Sequence, residues 1–213
     1  MSVENLDRLF KPNSIAVVGA SERKGSIGAA LMRNLIERGF PGEIYPINPN
    51  HTKIWGKSAS PSITDLKTPV DLAVISTPIM MVSQIVKECA EAKIGGVVII
   101  SAGGKEIGEA GKKLEAAILK EAKQSGVRII GPNCLGIVSS RSKLNASFAS
   151  RMPIPGKMAF ISQSGAICSS ILDLSVQENI GFSYFVSLGS MLDVDFGDMI
   201  DYLGGKPEVS SIV

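Results

Sequence analysis

Two short stretches carry residue types that hold phosphate. The first, "VVGASERKGSIG" (17–28), runs from a β-branched segment through a glycine and a polar loop to Gly25, Ser26, Ile27 and Gly28. The second, "FISQSGAIC" (160–168), passes from an apolar segment straight into Ser162, Gln163, Ser164 and Gly165. Small residues at a strand-to-helix turn leave backbone N–H groups uncovered, and the helix dipole favours an anion there. The chemistry expected is the holding of phosphoryl or carboxylate groups, with the Ser26 hydroxyl as an added donor. Tight packing alone would also place the first set of glycines, and capping by Ser162 or Ser164 would also explain the second set.

The first loop discriminates among ligands. A dinucleotide fingerprint needs G-x-G-x-x-G, and an acid after the second strand for the ribose of NAD. Here Ala20 and Ser21 follow Gly19, the next glycines are Gly25 and Gly28, and the second strand ends in Asn48-Pro49-Asn50 with His51 and Lys53 beyond. That disfavours NAD and suits a ribose carrying phosphate, as in NADP or coenzyme A. No Walker A lysine follows at the required spacing. Ser162 and Ala166 stand where a hydrolase nucleophile elbow around Ser164 needs glycines, and the single histidine, His51, lies in the other half. Asp195-Phe196-Gly197 lacks its companion kinase motifs. Asp193, Asp195, Asp198 and Asp201 lack the glycine and glutamate of a calcium loop and are expected in the first turns of a solvated helix. No metal site is expected.

The elements that must position these loops alternate regularly. Strands are expected at 14–20, 43–49, 71–77, 95–101 and 127–131, and helices at 28–39, 79–93 and 110–126. Strands apolar on both faces and separated by helices predict an α/β, doubly wound parallel sheet over residues 1–131. Residues 132–156 are polar and punctuated by glycine and proline, which predicts a connection with one short strand at 144–148. The alternation resumes with strands at 157–163, 182–188 and 209–213 and helices at 164–179 and 194–205. Over 157–213 a parallel sheet of so few strands is expected to be the first part of a longer domain.

Composition excludes several functions. The 213 residues carry a net charge of +2, 5% aromatics and 20% charged residues, which gives no basis for nucleic-acid binding. Cys89, Cys134 and Cys168 form no pair with metal or redox spacing. Neither a signal peptide nor a membrane span is expected, so the location expected is cytoplasmic, and the sequon at Asn145 is read as chance.

Taken together, "LDRLFKPNSIAVVGAS", "YPINPN", "DLAVISTP", "SAGGKEIGEAG", "GPNCLGI", "ISQSGA" and "SLGSMLDVDFGDMIDYL" give a chain that resembles the NDP-forming acyl-CoA synthetases over its whole length. The nearest resemblance is to the α subunit or α-like half of ADP-forming acetyl-CoA synthetase, related to the succinyl-CoA synthetase α subunit. The resemblance implies a Rossmann-like CoA-binding domain followed by a partial flavodoxin-like α/β ligase domain. It implies that acyl-CoA, ADP and phosphate are interconverted with acid, coenzyme A and ATP through an acyl phosphate and a phosphohistidine. That histidine is expected beyond Val213, so no catalytic residue is expected here and the chain alone should be inactive. Residues implied for coenzyme A are Gly25, Ser26, Ile27, Gly28, Asn48, Pro49, Lys53, Ser76, Thr77 and Pro78. Asn133, Ser162, Gln163, Ser164 and Gly165 are implied for the acyl and phosphate groups. Relatives often carry a basic residue directly after the "NP" of the second strand, where this chain has Asn50 and His51 before Lys53. The implied partners are a nucleotide-grasp (β) subunit or fused domain, supplying ADP or ATP with Mg2+, within an oligomer. Alternatives are a catalytically silent CoA-sensing module, as in fusions to protein acetyltransferases, and an NADP-binding oxidoreductase domain.

Overall fold

The structure, a computed structural model, describes residues 3–213. The first sheet is built from β1 (Ser14–Val18), β2 (Glu43–Ile47), β5 (Leu72–Ile75), β6 (Gly96–Ile99) and β7 (Arg128–Ile130). All neighbours run parallel in the order β2-β1-β5-β6-β7. β1, β5 and β6 are buried along their whole length, as strands covered on both faces must be. α2 (Ile27–Glu37), α3 (Ile79–Glu91) and α4 (Glu109–Ser125) supply the cover, and Gly126 closes α4 in the left-handed conformation. Between β2 and β5 lie a small hairpin, β3 (Lys53–Ile54) and β4 (Lys57–Ser58), and a 3-10 turn at Ile63–Asp65. The hairpin has no hydrophobic alternation and was not expected.

The second sheet departs from expectation. Residues 132–156, anticipated as a connection with one strand, contribute β8 (Gly136–Ser139) and β9 (Leu144–Ser147), and β10 (Ile154–Ser162) also begins within them. β8 and β9 form a hairpin that adds antiparallel to β11 (Gly181–Ser187). With β12 (Ser211–Ile212) the sheet has five strands in the order β12-β10-β11-β8-β9, where only β10 pairs in parallel. The hairpin supplies the strands that the parallel part lacks. Both β8 and β9 are fully buried, which polar composition alone hides.

The two sheets share a core. A five-residue helix, α1 (Leu6–Phe10), places Leu6, Leu9 and Phe10 between them, in one apolar cluster with Val98 and Ile130 of the first sheet and Val186 of the second. Phe10 stacks on Tyr202 of α6 (Phe196–Gly204) at 5.3 Å and meets the edge of Tyr184 at 5.6 Å. Asn34 of α2 donates from Nδ2 to the Ser147 and Ala149 carbonyls at 2.8 and 2.9 Å. The acidic run is not merely a solvated first turn. Asp195 caps α6, while Arg128 of the first sheet binds Asp193 at 2.9 Å and Asp198 at 2.8 Å. α5 (Gly165–Gln177) packs against β10 and β11. Among the described residues no helix is long and apolar enough to cross a membrane.

Arg128 and Asp198 are largely buried, so removing the cation leaves charge in a low-dielectric setting. Arg128→Met is expected to lower stability by about 3 kcal/mol in urea unfolding. A loss under about 1 kcal/mol would reduce the contact to a surface bridge.

Candidate functional site

Each phosphate-type loop leaves the strand at which its sheet changes direction of winding. β1 lies between β2 and β5, and β10 lies between β12 and β11. A crevice opens beyond the carboxyl ends of parallel strands at such a switch point.

At the first of these, backbone approach is as close as atoms permit. Gly19 sits at φ 88°, its N–H donates to the Ile47 carbonyl at 3.0 Å, and a Cβ there would lie 2.8 Å from Ser76 Oγ. A Cβ on Gly28 would collide with the Gly19 carbonyl, so α2 can start here only with glycine. Ser26 is the N-cap. Its hydroxyl donates to the Arg23 carbonyl at 2.8 Å and accepts from the Ala29 N–H at 3.2 Å. The expectation that Ser26 offers a hydroxyl donor is therefore corrected: its one hydrogen is already used. With Ala30 N–H bonded to the Ser26 carbonyl, Ile27 and Gly28 are left with the open first-turn N–H groups.

The second loop repeats the arrangement. Ser164 caps α5 by accepting from the Ile167 N–H at 3.3 Å, and its own N–H donates to Ser162 Oγ at 3.1 Å. Cys168 N–H bonds the Ser164 carbonyl, which leaves Gly165 and Ala166 as open donors.

Between the two loops, Gly131 at φ 101° and Asn133 at φ 56° turn the chain sharply. Asn133 N–H donates to the Ser101 carbonyl at 2.9 Å, Ser190 N–H to the Pro132 carbonyl at 2.8 Å, and Leu135 N–H to Ser187 Oγ at 3.0 Å. Both sheets thus pin this turn and leave the Asn133 side chain exposed.

Two adjoining cavities result. One, of about 390 Å³, is lined by Gly25, Ser26, Ile27, Arg33, Trp55 and Phe148 among others. The other, of about 570 Å³, is lined by Ile27, Asn133, Phe148, Gln163, Ser164 and Gly165 among others. Ile27 and Phe148 belong to both. The structure therefore brings most of the first loop together with Asn133 and the second loop; Ser162 stands behind Ser164, and Gly28 behind Ile27. Asn48, Pro49, Lys53, Ser76, Thr77 and Pro78 line neither cavity. Asn48 ties the turns together, donating to the Ala20 carbonyl at 2.8 Å and accepting from Asn50 N–H at 2.9 Å. Ser76 Oγ donates to the Val18 carbonyl at 3.1 Å, Pro78 is the N-cap residue before α3, and Pro49 and Lys53 are exposed. Thr77 Oγ1 is buried with no partner among the described residues. Trp55 and Phe148 are not among the expected site residues: one stands in an unforeseen hairpin, the other at the end of the strand expected at 144–148, whose place at the sheet edge beside the cavity no local pattern gives. Cys134 also borders the larger cavity, but burial pushes its thiol up to about 12 and it donates to the Ile99 carbonyl, so it is no nucleophile.

Residues 13–140 match the CoA binding domain family. The chain belongs to that family. Residues 155–213 match the succinyl-CoA ligase like flavodoxin domain. The chain is 41% identical over 213 residues to the α subunit of acetate–CoA ligase [ADP-forming] I of Pyrococcus furiosus, covering 98% of itself and 46% of that subunit. It is 44% identical over 202 residues to acetate–CoA ligase [ADP-forming] of Methanocaldococcus jannaschii, covering 95% of itself and 28% of that protein. Its fold is similar to that of the dinucleotide forming acetyl-coenzyme A synthetase 1 of Ca. Korarchaeum cryptofilum in complex with phosphate and ADP. That match has a TM-score of 0.93 at 39% identity and covers 97% of this chain and 44% of that one. The kinship with NDP-forming acyl-CoA synthetases and the pairing of a Rossmann-like with a flavodoxin-like domain are thereby shown. The chain spans less than half the length of these relatives.

The two glycines that open the helices differ in what the protein itself demands. A methyl on Gly165 meets nothing closer than Leu135 Cβ at 3.8 Å, whereas one on Gly28 strikes backbone. Gly165→Ala is expected to leave stability within about 1 kcal/mol, and Gly28→Ala to lower it by about 2 kcal/mol or more. Urea unfolding of both variants checks this, and equal costs would contradict it.

Proposed function

We propose that this chain is the CoA-binding and ligase portion of an ADP-forming acyl-CoA synthetase. The full enzyme interconverts acyl-CoA, ADP and phosphate with a small carboxylic acid, coenzyme A and ATP. The observation that carries this reading is the meeting of two capped helix starts, at Ile27–Gly28 and Gly165–Ala166, across cavities that share Ile27 and Phe148. One start suits the pyrophosphate of coenzyme A and the other a phosphoryl group, each held by open N–H donors and a helix dipole.

In this reading Gly25 to Gly28 hold the pyrophosphate. Asn48, Pro49 and Lys53 border the nucleotide end, and Ser76, Thr77 and Pro78 border the ligand at the switch point. Asn133 lies beside the thioester and acid, and Ser162 to Gly165 steady the phosphoryl group. Fixed donors aimed at developing charge stabilise an acyl phosphate and its transfer without reorganising water. The phosphohistidine is expected beyond Val213, while the ADP or ATP site with its Mg2+ belongs to the nucleotide-grasp part, a β subunit or fused domain, of an assembly in the cytoplasm.

The chain is expected to bind coenzyme A in a 1:1 ratio by calorimetry, to give no heat with NADP, and to form no ATP from acetyl-CoA, ADP and phosphate by itself. Heat with NADP and none with coenzyme A would overturn the reading.

A further inference from the structure

Trp55 is the only tryptophan of the chain, and its backbone is unusual. It opens the two-residue turn between β3 and β4, with φ 52° at Trp55 and 74° at Gly56. Positive φ at both positions fits a type I′ turn, where Asn-Gly is the favoured pair. A bulky aromatic at positive φ is strained, and strain of this kind gathers at ligand-binding positions. The surroundings hold it there. Its Nε1–H donates to the Ser21 carbonyl at 3.1 Å and its backbone N–H to Glu22 Oε1 at 2.5 Å, so the indole is pinned by its edge to the loop that precedes α2.

So held, the ring lines the 390 Å³ cavity beside Gly25, Ser26 and Ile27, with Phe148 of the second half on the same cavity. Lys24 and Arg33 line it too, and both are exposed and make no ion pair among the described residues. Glu22 lines the cavity as well, its Oε1 accepting the Trp55 N–H; against that single carboxylate, two cations, an aromatic ring and the open N–H of Ile27 suit a purine that carries its own phosphate and continues into a pyrophosphate. The second cavity, beyond Ile27 and Phe148, leads on to Asn133 and Gly165.

We propose that Trp55 is the stacking residue for the adenine of coenzyme A, with Arg33 and Lys24 taking its 3′-phosphate. The proposal rests on the coenzyme A reading above. It orders the ligand along the two cavities: nucleotide at Trp55, pyrophosphate at the start of α2, and pantetheine past Ile27 and Phe148 toward Asn133. A tryptophan that only clamps the loop would favour no part of the ligand.

Titrations of the whole chain with coenzyme A, dephospho-coenzyme A and 4′-phosphopantetheine, followed by calorimetry and tryptophan fluorescence, separate these roles. Coenzyme A and dephospho-coenzyme A should quench Trp55, and 4′-phosphopantetheine should not. Trp55→Leu should weaken coenzyme A by about 5- to 150-fold, the range for a base stacked on an aromatic ring, and leave 4′-phosphopantetheine unchanged. Arg33→Gln, at an exposed position with no ion pair among the described residues, should lower the affinity for coenzyme A toward that for dephospho-coenzyme A, with Lys24 keeping part of the difference, and leave dephospho-coenzyme A unchanged. Equal weakening of all three ligands by Trp55→Leu would make Trp55 a clamp and overturn the proposal. Tight binding of coenzyme A with unchanged fluorescence and an unaffected Trp55→Leu variant would overturn it too, while leaving the coenzyme A reading intact. No binding of coenzyme A by the wild-type chain would remove that reading and the proposal with it.

Discussion

The first turn of a helix has N–H groups that the helix cannot use, and in α2 and α5 the protein leaves two of them uncovered at each start. Ser26 and Ser164 satisfy the third N–H with a hydroxyl and the fourth with a carbonyl, so each cap completes the turn while leaving its opening bare. Much of the remaining structure keeps those openings in place. Gly28 lets α2 sit against the Gly19 carbonyl, and each helix follows the strand at which its sheet switches winding direction.

Bringing the two openings to one crevice requires the halves to be fixed against each other. α1 fills the space between the sheets, Arg128 reaches from one to Asp193 and Asp198 of the other, and Asn34 of α2 holds the β9 edge. The β9 edge in turn leads into Phe148, which with Ile27 forms the apolar threshold between the cavities. An apolar threshold between two anion-favouring ends suits a ligand that is charged at one end and apolar through its middle. Burial holds the nearby thiols of Cys134 and Cys168 in the protonated form by raising both.

Much of this was legible in the sequence, wherever local pattern and tertiary role coincide. The β-branched runs of the first sheet, the glycine stop of α4 and the two serine-glycine loops announce themselves because burial on both faces and helix capping depend on adjacent residues. What was not legible depends on distant partners. β8 is polar enough to read as a connection, and although a strand is expected at β9, the antiparallel pairing and the burial of both are decided by β11 and α2. α1 is too short for periodicity to show, yet it is wholly buried on its apolar side. The Ser26 hydroxyl could be called a donor from its type alone, but only the geometry reveals that Arg23 accepts its hydrogen. Trp55 and Phe148 gave no motif, since their roles come from facing the same cavity rather than from any spacing.

Amide hydrogen exchange in the presence of coenzyme A and of phosphate tests the central claim most directly. Coenzyme A should slow exchange at Ile27 and Gly28, and phosphate should slow it at Gly165 and Ala166, with α3 and α4 unchanged. Unaltered exchange at both helix starts, with coenzyme A bound, would contradict it.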